Sequence, residues 1–185
     1  MLCYHINVGH PVLAEGSRYL APIKHVVWAS HAESYRAHGT GYRTMPAPQL
    51  PFHEQVWEHW LAADRDGLVP VALVNDSFDG GRGLGFLVET RKSEFPCQFQ
   101  WQNFQAGQYA MGFEPSTNHV FGKPFAEERG EAIWLEHGDE RSYTTRLAVL
   151  DGSDEIAAAE QRIRAIAVQP DTDYPEPTGR WDALA

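Results

Sequence analysis

A histidine and an asparagine stand two residues apart in YHINVGHP, residues 4–11, and a glutamate closes YAMGFEP, residues 109–115. Read as strands, both stretches divide into an apolar face and a small or polar face. Tyr4, Ile6 and Val8 oppose His5, Asn7 and Gly9; Tyr109, Met111 and Phe113 oppose Ala110, Gly112 and Glu114. No side chain rises at Gly112, which leaves an approach to Glu114. An imidazole and a carboxylate on such faces can work as general acid and general base without a cofactor. With ordinary pKa values of about 6.5 and 4.3, a neighbouring carboxylate holds the imidazole protonated near neutral pH. His5 is then the acid and Glu114 the base. Taken singly, each residue also reads as a solvated strand position; their combination is what singles them out.

Other stretches carry weaker signals. QFQWQNF, residues 98–104, puts Gln98, Gln100 and Gln102 on one face, either lining a sugar groove with amide donors and acceptors or simply facing water. Trp101, on the opposite face, reads as core. Nine histidines invite a metal, but no HxH, HExxH or CxxC spacing occurs. His53 and His59 would share a strand face about 20 Å apart, so no metal site is expected. GGRGLG, residues 80–85, lacks the Lys-Ser/Thr pair and helix of a phosphate loop and reads as a turn. Cys3 and Cys97 read as small hydrophobes without a disulfide.

The elements that would position these residues are mainly strands. Period-two segments at 2–8, 24–30, 54–61, 69–75, 83–91, 97–104, 108–114, 131–136 and 141–150 are separated by Gly, Pro and Asp clusters such as DRDG at 64–67. Prolines and glycines make 31–53 a long irregular stretch with room for a short helix at 31–37. One helix is expected at 154–167, capped by Ser153, with Asp154 and Glu155 in its first turn and Ile156, Ile163 and Ile166 on one stripe. The expected fold class is a mainly β antiparallel sandwich with one C-terminal helix, a domain over 1–167 and a Pro-rich tail over 168–185 that is either disordered or pinned only by Trp181.

Composition sets the outer limits. The 185 residues are 43% hydrophobic with six tryptophans and nine phenylalanines, enough for one core. A net charge of −10 argues against nucleic acid and anionic membranes as partners, and no apolar run nears the roughly 20 residues of a membrane helix. With no secretory pattern at the start, a cytoplasmic location is the expectation.

Four segments, YHINVGHPVLAEGSRYLAP (4–22), FHEQVWEHW (52–60), FQWQNFQAGQYAMGFEPSTN (99–118) and RSYTTRLAVLDGSDEI (141–156), resemble the aldose 1-epimerase (galactose mutarotase) superfamily, specifically its DUF4432 branch. The resemblance implies a β-supersandwich that holds a sugar ring on its concave face, with no cofactor. It implies a histidine acid acting on the ring oxygen and a glutamate base acting on the anomeric hydroxyl, roles that fall on His5 and Glu114. Asn7, Gln100, Gln102 and Asn118 are the expected hydroxyl contacts. The resemblance covers the C-terminal half of the family pattern, which implies either a late-starting chain or a shortened relative that covers its exposed edges as a homodimer. The expected function is cofactor-independent interconversion of sugar anomers; the alternatives are a carbohydrate-binding protein without catalysis and a half-domain assembly subunit.

Overall fold

A computed structural model describes residues 1–30, 41–167 and 179. The helix expected at 31–37 and the tail after 167 with Trp181 lie outside the described residues. Nine strands are described: β1 (Ile6–Val8), β2 (Arg18–Leu20), β3 (Ile23–Ala29), β4 (Gln55–Leu61), β5 (Leu68–Asn75), β6 (Leu84–Arg91), β7 (Cys97–Asn103), β8 (Ala110–Ser116) and β9 (Thr145–Asp151). They form two antiparallel sheets, a five-stranded sheet ordered β1-β8-β7-β4-β3 and a four-stranded sheet ordered β2-β5-β6-β9. Helix α1 (Gly122–Glu128) follows β8 and helix α2 (Ser153–Ile166) follows β9.

Alternation decides which side of each sheet is buried. Trp57, Met111 and Phe113 of the first sheet meet Tyr19, Val71 and Leu73 of the second in one core, where Tyr19 stacks on Phe113 with ring centroids 6.0 Å apart. The second sheet turns Leu20, Ala72, Val74 and Leu150 the other way, where Ile156 and Ile163 of α2 cover them. Turn chemistry joins neighbouring strands as expected. Asp64 Oδ1 accepts from the Asp66 and Leu68 amides, and Gly67 takes the positive φ of 77° that closes the β4–β5 hairpin.

Several expectations need correction. No strand forms at 131–136, where Trp134 and Leu135 are exposed instead. The strand expected at 108–114 runs from Ala110 to Ser116. Pro115 reads as a strand terminus because it lacks an N–H, but its carbonyl accepts from Tyr4 N, so the pairing continues past it. The three-residue β2 is too short to show a period. Helix α1 is hidden by Gly122 and Pro124, although proline is tolerated in a helix's first turn. The N-cap of α2 is Gly152 rather than Ser153; Glu155 Oε2 reaches back to the Asp151 amide.

Part of the stretch expected to be irregular is described, and it has a structural task. Tyr42 and Met45 are fully buried in the core, and Met45 and Arg43 exchange backbone bonds with the 16–19 segment. Residues 41–49 thus close one side of the sandwich without forming a strand.

Candidate active site

The outer face of the first sheet, turned away from the core, carries His5 and Glu114. Ile6, Asn7 and Val8 of β1 pair with Phe113, Gly112 and Met111 of β8. One step further along this register, His5 stands opposite Glu114, and its Nε2 lies 2.8 Å from Glu114 Oε1. Their closeness therefore follows from strand register, since cross-strand neighbours on one face are set about 5 Å apart at Cβ. Glu114 pairs in turn with Phe99 of β7, and Phe99 with Glu58 of β4. His5, Glu114, Phe99 and Glu58 form one row across four strands. Asn7, Gly112, Trp101 and Val56 form the next.

The two partners differ in exposure. The His5 side chain is 47% exposed and the Glu114 side chain 11%. Burial raises the Glu114 carboxyl above the ordinary carboxylate range; the charge of His5 pulls it down and that of Glu54 pushes it further up. Gly112 lies beneath both groups. A Cβ there would stand 3.1 Å from Glu114 Oε1, 3.2 Å from the His5 ring and 3.2 Å from Trp101 Cβ. The expected approach over Gly112 is thus occupied by the His5 and Glu114 side chains, and the glycine is what lets them fold over it.

Trp101 belongs to this face and not to the core. Its ring centroid lies 5.1 Å from that of His5, and its Nε1–H donates to Glu54 Oε2 at 3.1 Å. Beside Glu114 opens a cavity of about 340 Å³, walled by the N-terminal residues Met1–Cys3, by Phe99 and by Asn118 and His119 of the loop after β8.

The structure brings together some of the expected contacts and separates others. Asn7 is exposed on the acid and base face. Asn118 lines the cavity, but its amide is engaged: Nδ2 donates to the Glu131 carbonyl and Oδ1 accepts from Thr117 Oγ1. Gln100 and Gln102 lie on the opposite face, fully buried in the core. Gln100 Nε2 donates to the Tyr42 carbonyl at 2.8 Å and its Oε1 faces His59 Nε2 at 3.1 Å, while Gln102 Nε2 donates to the Gly41 carbonyl at 3.3 Å. These amides supply bonds that the irregular 41–49 segment cannot make with a strand. The structure thus places both on the core side of the sheet, away from His5 and Glu114, where they were expected to face the sugar. His59 is a core residue too; burial pushes its pKa down to about 4, so it is neutral at physiological pH.

Three further buried residues on the outer face, Glu58, Cys97 and His119, escaped sequence reasoning because they lie on separate elements with no local spacing to link them. The one signal was a glutamate inside VWEHW, where every neighbour reads as strand core.

A family profile described as a domain of unknown function, DUF4432, matches residues 1–149. The chain belongs to the DUF4432 family. Among solved structures, this DUF4432 chain is similar to a crystal structure described as a putative aldose 1-epimerase from Klebsiella pneumoniae subsp. pneumoniae MGH 78578, with 25% identity and a TM-score of 0.74. The similarity covers 94% of this chain and 46% of that one, so the DUF4432 chain spans about half the length of its structural relative. No curated protein matches it. Among the described residues, no helix is long and apolar enough to cross a membrane.

Proposed function

We propose that this chain carries a cofactor-independent, aldose 1-epimerase-like site that interconverts sugar anomers, with His5 as general acid and Glu114 as general base. The observation that carries this reading is the 2.8 Å approach of His5 Nε2 to Glu114 Oε1 on the outer face. The reaction needs an acid and a base that reach two oxygens on one carbon, the ring oxygen and the anomeric hydroxyl. Adjacent cross-strand positions meet that need. Glu114 takes the hydroxyl proton, His5 donates its Nε2 proton to the ring oxygen, the C1–ring oxygen bond breaks and a C1 carbonyl forms. Rotation about C1–C2 and the reverse transfers close the ring as the other anomer. A carboxylate whose proton affinity is raised by burial is a stronger base than a solvated one, and His5 beside it offsets part of that rise. Asn7 is the hydroxyl contact this reading retains on the same face.

The scaffold shared with the Klebsiella protein supports this reading. Polarimetric mutarotation of several aldoses tests it. Wild type should outpace buffer, and His5→Ala and Glu114→Gln should each lose about 10²- to 10⁴-fold of the acceleration. A wild-type rate equal to buffer, or full activity in both variants, would overturn the assignment.

Trp101 favours one second reading, a carbohydrate-binding protein without catalysis. Its indole, fixed by Glu54, offers a flat platform against which a sugar ring can stack. That reading predicts sugar-dependent thermal stabilisation, abolished by Trp101→Ala, with no acceleration of mutarotation.

A further inference from the structure

Glu58 of β4, Cys97 at the start of β7 and His119 of the loop after β8 are buried together on the outer face of the first sheet. A Glu58 carboxylate oxygen, Cys97 Sγ and a His119 ring nitrogen all lie within 4.8 Å of one another. His119 Nδ1 faces both Glu58 Oε1 and Cys97 Sγ, the latter at 3.6 Å. A carboxylate oxygen, a thiolate sulfur and an imidazole nitrogen brought together in this way can share one cation. Nitrogen and sulfur ligands at about 2.05 and 2.3 Å from a tetrahedral zinc stand about 3.6 Å from each other, the spacing of Nδ1 and Sγ here, whereas Glu58 Oε1 touches Nδ1 directly and its carboxylate has to turn away to ligate the same ion.

The far side of the ring carries the second observation. His119 Nε2 is buried without a hydrogen-bond partner, and Glu131 Oε2 stands 3.8 Å from it. Arg129 Nε donates to the other Glu131 oxygen at 2.8 Å and steadies that carboxylate. A carboxylate facing the second nitrogen is the usual outer partner of a metal-bound histidine. At 3.8 Å the Glu131 carboxylate faces the ring without yet bonding it, and a small shift of either side chain closes that contact.

We propose that Glu58, Cys97 and His119 bind one zinc-class divalent cation, with Glu131 as the positioning residue of His119. The mixed sulfur, nitrogen and oxygen donor set suits zinc and excludes magnesium and calcium, which take oxygen ligands. With three buried protein ligands a tetrahedral ion keeps water in its fourth position, and it serves here as a clamp. It ties the loop that carries Asn118 and His119, a wall of the cavity beside Glu114, to the sheet through β4 and β7. The proposal stands apart from the acid and base assignment and is tested without any sugar.

The test uses the full chain stripped with a chelator, then titrated with Zn²⁺ against a chromophoric competitor and separately with Co²⁺. One equivalent of Zn²⁺ should bind, and Co²⁺ should give a thiolate-to-cobalt charge-transfer band with intense four-coordinate visible bands. Cys97→Ser should abolish the charge-transfer band and Cys3→Ser should keep it. Glu131→Gln should weaken Zn²⁺ binding by roughly 10- to 100-fold, and loss of a ligand should weaken it more. Absence of stoichiometric uptake, a Co²⁺ spectrum without a thiolate band, or Zn²⁺ affinity unchanged in Cys97→Ser would each overturn the proposal. The Co²⁺ spectrum of the wild-type chain decides the matter even where a variant fails to fold.

Discussion

Glu114, the proposed base, carries a cost to the fold. Its carboxyl is raised mainly by burial, so the folded chain holds that proton more tightly than the unfolded chain does. Such a group stabilises the fold most when protonated, and its contribution declines as pH rises from about 4.5 through the raised folded value. Glu114→Gln cannot ionise. Urea unfolding of both proteins between about pH 4 and 7 should show wild type losing stability relative to the variant as pH rises. Parallel profiles would mean that the carboxyl is well solvated. The expected pattern is a variant that is inactive yet at least as stable at neutral pH, the usual relation between a strained functional group and the fold that holds it.

Elements explain what was legible in the chain and what was not. Period-two alternation located most of the strands and put His5, Asn7 and Glu114 together on the faces away from Val8, Met111 and Phe113. Alternation says which residues share a face, but not which face is wet. Gln100 and Gln102 show the limit: three glutamines in alternation look like a polar surface, yet they point into the core. The irregular segment they serve supplies carbonyls that need donors, and no local pattern reveals that need. Trp101 is the mirror case, a large aromatic on the open side. A Gln100→Leu variant discriminates these roles. It should lose about 1–3 kcal/mol in chemical denaturation, because the Tyr42 carbonyl and His59 lose a buried partner, while the folded fraction keeps its sugar response. Loss of sugar response at unchanged stability would return Gln100 to the site.

At the scale of the molecule, the two sheets do not cover each other fully. Leu147 and Val149 of β9 pair with Val88 and Phe86 of β6, both of which pack on the core, so they too point toward the first sheet. Yet they are 52% and 62% exposed. β9 is also the last strand of its sheet among the described residues. An apolar edge strand of this kind is a template for pairing with another chain. Self-association is the expected behaviour, seen as a concentration-dependent mass in sedimentation velocity. Val149→Lys should shift it toward monomer without changing the circular dichroism spectrum. A wild-type mass that stays monomeric at every concentration would mean that the edge is blocked in another way.

The shortness of β1 has its own consequence. His5, the proposed acid, rides on an edge segment tied to β8 and the residue after it through three paired residues, the Tyr4 amide, a bridge at Cys3 and the Leu2 bonds to Ser116 and Thr117, whereas Glu114, the proposed base, sits in an interior strand bonded on both sides. Edge segments open locally at a lower free energy than the sheet as a whole. On warming, His5 should part from Glu114 before the other strands separate, so mutarotation, on the proposed assignment, should fail below the melting temperature of the sandwich.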